Sequence, residues 1–159
     1  MSDTNAFHPV LLAYDGSDTA ARAIEHAGDL LGGGPAVVVT VFEPTATFTG
    51  YDPLSNVSEG MGRAAGLERE MDEIGAQVAQ RTAEQGAEVA KGHGFDATAQ
   101  TAEGKVWRTI VDVADEVDAR AIVVGTRGHS GLGSLMIGSV ANGVVHHSKR
   151  AVVVIPPAR

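Results

Sequence analysis

The segment Gly125-Thr126-Arg127-Gly128, followed by nine residues and then Gly138-Ser139, holds the residues best suited to chemistry in this chain. Glycines let a backbone approach a ligand closely and take φ > 0. Ser139 opens a segment that reads as a helix, Ser139–Ser148. A helix start carries unpaired N–H groups and a partial positive charge, and both suit an anion. The loop leaves an apolar run, Ala121–Val124, that reads as a buried strand. Strand, glycine-dense loop and helix start together predict a phosphate site, and nucleotides are the commonest bearers of phosphate. Arg127 sits inside this loop and is one of only twelve Lys and Arg residues. It is either a phosphate partner or a solvated surface side chain.

Other chemistries lack their motifs. Gly104-Lys105 is followed by Val106, and no glycine stands five places before Gly104, so there is no Walker A sequence. Gly131-Leu132-Gly133 has the first two glycines of a dinucleotide fingerprint, but Met136 stands where the third belongs. There is no Gly-x-Ser-x-Gly elbow. His146 and His147 are adjacent on a helix, so their side chains diverge by about 100° and cannot share a metal from one face. His93 lies in a Gly-flanked turn, and no dedicated metal site is expected. Glu116 and Asp118 precede the strand that feeds the loop. They belong at its opposite end, so no carboxylate is expected beside the phosphates to position a water.

Composition narrows the class further. The chain has 159 residues and 16.4 kDa, which fits a single domain over 1–159. Net charge is −8, which argues against nucleic acid as a partner. A phosphate must then be held by local groups against the global field. The absence of cysteine excludes disulfides and thiolate chemistry. No secretory signal stands in Met1–Pro9 and no apolar run is long enough for a membrane span, so a cytoplasmic protein without membrane contact is expected.

The elements that must position the loop alternate in type. Val10–Tyr14 reads as strand one, and Asp15-Gly16-Ser17 breaks it with Ser17 as the N-cap of a helix. That helix carries Ala20, Ile24, Ala27 and Leu31 on one face, and Gly32-Gly33-Gly34-Pro35 ends it. Asp15 is a candidate cap as well. Ala36–Phe42 is strand two, and Glu43–Gly60 shows no period and reads as a long loop. Leu67, Met71, Ile74 and Val78 mark an amphipathic helix, and this stripe is expected to be core. Phe95–Ala102 is a polar strand three. Trp107, Ile110, Val111, Ala114 and Val117 form the next apolar stripe, with Trp107 as core or groove lining. Strand four is Ala121–Val124, and Ala151–Ile155 is strand five, stopped by Pro156-Pro157. Such alternation implies an α/β fold of parallel βαβ units with right-handed crossovers. Several strand orders satisfy it.

Asp15-Gly16-Ser17, Ala121–Gly128, Gly138-Ser139-Val140-Ala141 and Ala151–Pro156 together resemble the universal stress protein family, over nearly the whole chain. The glycine spacing is similar to that family's ATP-binding pattern, Gly-x2-Gly-x9-Gly-Ser/Thr. The resemblance implies a flavodoxin-like, doubly wound sheet of five parallel strands in the order 3-2-1-4-5. It implies an ATP-binding sensor or regulator of the stress response, with Mg²⁺ helping to neutralise the phosphates. Asp15 would accept a hydrogen bond from the ribose, and the backbone near Val41 would read the adenine edge. Ala13 and Val124 would line the adenine cavity, with Ala13 where some nucleotide-binding members carry proline. Gly125, Arg127, Gly128, Gly138, Ser139 and Val140 would hold ribose and phosphates. The family also implies a homodimer through strand five, Val152, Val153, Val154 and Ile155. Strand five is apolar throughout and uncharged, an edge that needs a cover. Rival readings are a slow ATPase or self-phosphorylating enzyme, and a nucleotide-free dimeric interaction protein.

Overall fold

The computed structural model describes residues 8–44, 58–126 and 137–157, with side chains in the second helix from residue 65 onward. Along them run β1 (Val10–Ala13), α1 (Asp18–Leu31), β2 (Gly34–Phe42), α2 (Ser58–Gly92) and β3 (Phe95–Glu103). Then come α3 (Val106–Glu116), β4 (Ala121–Gly125), α4 (Ser139–His147) and β5 (Ala151–Ile155). The strands form one five-stranded parallel sheet in the order β3-β2-β1-β4-β5. This is the flavodoxin-like α/β architecture and strand order expected.

Alternation along the central strands feeds two core layers. Val10, Leu12, Val38 and Val123 face one layer, closed by α1 and α2. Leu11, Val39, Ile122 and Val124 face the other, with Ile110 of α3 and Val144 of α4. Buried on both faces, these strands read as near-continuous apolar runs.

Local chemistry sets the helix ends. The Ser17 hydroxyl accepts from the Ala20 amide at 3.1 Å, and Gly32 closes α1 in the left-handed region with φ 73°. β2 starts at Gly34, two residues before the expected Ala36. The Val39 carbonyl accepts from the Tyr14 amide, so by strand alternation the backbone of residue 35 also points toward β1. The register sets Ala36 beside Val10, the first residue of β1. Pro35 therefore lacks an N–H only where there is no strand to receive it.

Two expectations about α2 are corrected. The helix begins at Ser58, inside the stretch read as a loop to Gly60; residues 45–57 of that stretch lie outside those described. The stripe expected to be core is on the surface: Leu67, Met71, Ile74 and Val78 are 49–59% exposed. The face that packs on β2 and β3 carries Ala79, Ala83, Ala87 and Ala90 instead, all buried. Small residues let helix and sheet approach closely. A Cβ on Gly86 would meet the Tyr14 ring at 2.6 Å. At 100° per residue the alanine face lies about 140° from the apolar stripe, so no rotation of the helix buries both.

Candidate functional site

The chain runs outward from β1 to β2 and β3, then returns through α3 to place β4 against the free side of β1. Strand order reverses there, and the carboxyl ends of the two strands splay into a crevice. A cavity of about 250 Å³ occupies it. Eight of the sequence-predicted site residues converge on this cavity: Ala13, Asp15, Val41, Val124, Gly125, Gly138, Ser139 and Val140. Arg127 and Gly128 lie outside the described residues.

The cavity has an apolar end and a polar end. Ala13, Val39, Val41, Val106, Ile110 and Val124 wall the first. Val41 adds polar backbone there. Its N–H and C=O point the same way as those of Val39, toward β1, but β1 pairing stops at Ala13 opposite Val39. The Tyr14 carbonyl is taken by the buried Thr40 hydroxyl at 2.7 Å. Val41 thus presents one donor and one acceptor at the rim of an apolar slot.

The polar end is built by the start of α4. Gly138 is its N-cap, with no side-chain cap, and the first α4 turn closes from the Asn142 amide to the Gly138 carbonyl. By helix geometry the amides of Ser139, Val140 and Ala141 have no partner within the helix, and all three residues line the cavity. The Thr126 carbonyl anchors this start by accepting from the Gly138 amide at 2.7 Å. Thr126 Oγ1 is buried at the cavity wall and has no hydrogen-bond partner among the described residues.

Asp15 also lines the cavity and is the one formally charged residue among the described lining. Its Oδ1 accepts from the Ser17 amide at 3.0 Å. The α1 cap itself is Ser17, so Asp15 shapes the turn before the helix without capping it, and its side chain is exposed to the crevice. Next to it the Tyr14 phenol is held above its ordinary pKa, first by burial and then by the Asp15 and Asp18 carboxylates. Glu116 and Asp118 lie at the other end of β4, as the sequence implies. There Asp118 binds Arg150 at 2.6 Å and His8 at 3.0 Å.

Sequence reading missed Tyr14, Val39, Val106, Ile110 and Thr126 as lining. Val39 was accessible from period two, since it shares a face with Val41. Val106 and Ile110 share a face of α3 at i, i+4, but a stripe alone does not say that it overhangs a strand end. Trp107 neither lines the cavity nor lies fully in the core. It packs against Gly143 and stacks on His147, ring centroids 4.3 Å apart, joining α3 to α4.

Comparison with known proteins agrees with this architecture. The chain is 31% identical to the universal stress protein YxiE of Bacillus subtilis, over 94% of this chain and 99% of YxiE. Its fold matches the solved structure of protein MJ0577 with a TM-score of 0.76 at 19% identity, covering 97% of this chain and 99% of that one. It also matches the universal stress protein from Archaeoglobus fulgidus solved in complex with dAMP. That match has a TM-score of 0.64 at 26% identity, over 94% of this chain and 98% of the other. The sequence profile of the universal stress protein family matches residues 6–156. On this ground, and on its five-stranded parallel sheet, the chain belongs to the universal stress protein family.

Proposed function

We propose that this chain binds ATP, with Mg²⁺, in the β1/β4 crevice and acts as a nucleotide-responsive regulator in the stress response. One observation carries the reading. An apolar slot, a carboxylate and an uncapped helix start line a single cavity. Adenine fits the slot, where the Val41 backbone offers a donor and an acceptor to its edge. Asp15 accepts from a ribose hydroxyl. The phosphates meet the amides of Ser139, Val140 and Ala141 and the Ser139 hydroxyl, with Gly125, Gly138 and the loop residues Arg127 and Gly128 around them. The dAMP complex of the A. fulgidus relative supports an adenine nucleotide as the ligand class.

The described lining offers no metal-ligand cluster. Mg²⁺ is therefore proposed to ride on the phosphates, where it offsets their charge in a chain of net charge −8. Binding is favoured over hydrolysis because the described lining contains no histidine and no carboxylate other than Asp15 to activate a water. The test is native mass spectrometry of freshly purified protein, followed by calorimetric titration with ATP and Mg²⁺. The reading expects one adenine nucleotide per chain. Absence of bound nucleotide together with no heat at millimolar ATP would overturn it.

Assembly is proposed as a homodimer through β5. β5 is one edge of the sheet, and its Val152, Val153 and Val154 are only half-buried, while Ile155 is buried. The other edge, β3, exposes Asp96, Thr98 and Glu103, residues that discourage edge pairing. A two-fold axis beside β5 would pair its free backbone groups.

A further inference from the structure

Thr40 is a polar residue inside an apolar core. It is 7% exposed, and among the described residues only Tyr14 shares the buried interior with a polar side-chain atom. A buried hydroxyl is costly to desolvate unless it is hydrogen-bonded. Valine would fill the same space in a strand without that cost. Strand alternation puts the Thr40 side chain on the face opposite Val39 and Val41, and Thr40 is not among the residues that line the cavity. Its hydroxyl therefore does not touch a ligand held there. Among the described residues that hydroxyl makes one hydrogen bond, donated to the Tyr14 carbonyl at 2.7 Å.

That bond falls where β1 parts from its neighbours. Pairing with β4 stops at Leu12, opposite Val123. Pairing with β2 stops at Ala13, opposite Val39. Beyond them Tyr14 is tied to β2 twice: its amide donates to the Val39 carbonyl at 3.0 Å, and its carbonyl accepts from Thr40. Among the described residues no backbone amide donates to that carbonyl. The carbonyl belongs to the peptide unit that joins Tyr14 to Asp15. The unit is planar, so fixing its oxygen fixes the direction in which the chain enters Asp15. Thr40 is itself joined to Val41 in β2. One residue thus links the carboxylate-bearing turn to the strand segment whose backbone edges the slot.

We propose that Thr40 is a positioning residue for the nucleotide, a role that rests on the ATP site proposed above. Its hydroxyl holds the Tyr14–Asp15 peptide so that the Asp15 carboxylate keeps a fixed spacing from the Val41 backbone. The Ser17 amide holds the carboxylate from the other side, at 3.0 Å from Asp15 Oδ1. Without the Thr40 hydroxyl the Tyr14 carbonyl loses its donor, and the peptide is free to turn away from the geometry that base and ribose require together. A preset geometry favours binding because the ligand does not have to order the turn. The phosphate contacts at the start of α4 are anchored separately, through Thr126 and Gly138.

Thr40→Val removes the hydroxyl at nearly constant volume. Thr40→Ala removes it without setting a methyl against the Tyr14 carbonyl, and serves as the test where valine disturbs packing. Circular dichroism establishes that the titrated protein is folded. Calorimetric titration with ATP and Mg²⁺ should show affinity roughly threefold or more below the parent's in both variants. Thr40→Ser keeps the hydroxyl and should stay within about twofold of the parent. The same substitutions made in Asp15→Ala protein should cause no further loss, because the carboxylate they misplace is already gone. Parental affinity in Thr40→Val and Thr40→Ala would overturn the proposal. So would an equal loss with and without Asp15, which would make Thr40 a support of the slot alone. A parent that binds no ATP would overturn the nucleotide site itself, and the role of Thr40 with it.

Discussion

The Gly138 amide donates a 2.7 Å hydrogen bond to the Thr126 carbonyl, so the segment leaving β4 returns to within one bond of its own start. The Thr126 amide in turn donates to Ile155 at 2.9 Å. These two bonds pin the start of α4 over the carboxyl ends of β4 and β5. The helix dipole and its unpaired amides are aimed by the backbone alone, without a basic side chain among the described lining.

Gly138→Val with Ser139→Val is expected to abolish ATP binding and leave the fold intact. Gly138 has φ −60° and ψ 159°, a conformation open to any residue. Valine at 138 would fill phosphate volume, and valine at 139 removes a hydroxyl. Each lost charge-assisted hydrogen bond costs about 1.5–3 kcal/mol, so affinity should fall at least a hundredfold. Calorimetric titration checks this, and parental affinity in the double variant would refute the phosphate placement.

Asp15 and Ser17 should separate cleanly. Ser17 caps α1 and Asp15 does not. Ser17→Ala should lower stability by about 1 kcal/mol, read by denaturant unfolding. Asp15→Ala should weaken ATP and ADP alike, by about 1–3 kcal/mol, since one ribose hydrogen bond is lost and the phosphates still bind. Unchanged nucleotide affinity in Asp15→Ala would leave Asp15 a turn residue only.

These placements differ in how far the sequence foretold them. Ser17, Gly32 and the glycine loop act through neighbours in the chain, so local spacing reveals them. Val106 and Ile110 join the site only because α3 crosses from β3 back to β4, which no local pattern encodes. The Leu67–Val78 stripe was misread for a related reason. Period shows which residues share a helix face, but not what lies against it. The true contact face is alanine, whose weak hydrophobic signal is outweighed by Leu, Met, Ile and Val. Pro35 reads as a breaker, yet the stagger of β1 leaves room for it inside β2.

Gly143→Ala should loosen the α3–α4 joint. A Cβ at 143 would sit 2.5 Å from Trp107 Cγ, with no flexible atom to yield. Trp107 must shift and lose its stack on His147. Overpacking of this kind costs about 1–3 kcal/mol. Trp107 is the sole tryptophan, so its fluorescence reports both the displacement and the earlier unfolding midpoint. An unchanged spectrum and midpoint would contradict this packing.

The far end of the sheet should carry an acid-sensitive contact. The Arg150 guanidinium, hydrogen-bonded to Asp118, holds that carboxyl below its ordinary pKa, with His8 assisting. A depressed folded pKa stabilises above the unfolded pKa and is lost as pH falls through the folded value. Asp118→Asn keeps a residue that tolerates the left-handed φ of 51° found there. Its melting temperature should therefore trail the parent's at pH 6 and converge on it below about pH 4. A gap that stays constant down to pH 2.5 would show that the ion pair is not its source.

The strand-five dimer is expected to depend on one backbone donor. Val152 and Val154 pack with the α3–α4 core layer and Val153 with the α1–α2 layer, so both faces of β5 are occupied. Only its outer edge is free, since its inner edge pairs with β4 from Ala151 to Ile155. Backbone groups on the outer edge belong to alternate residues. A proline at an outward-facing residue removes an intersubunit donor and spares the β4 ladder; at an inward-facing residue it breaks that ladder. The inward set follows from the register. The Ile155 carbonyl accepts from Thr126 on the β4 side, so Val153 and Ala151 also point inward, and Val152 and Val154 point outward. Val154→Pro should therefore lower the mass by one assembly step with little loss of stability, while Val153→Pro should destabilise the fold itself. Light scattering and thermal unfolding of the two variants check this. A Val154→Pro protein with the parent's mass would exclude β5 as the dimer edge.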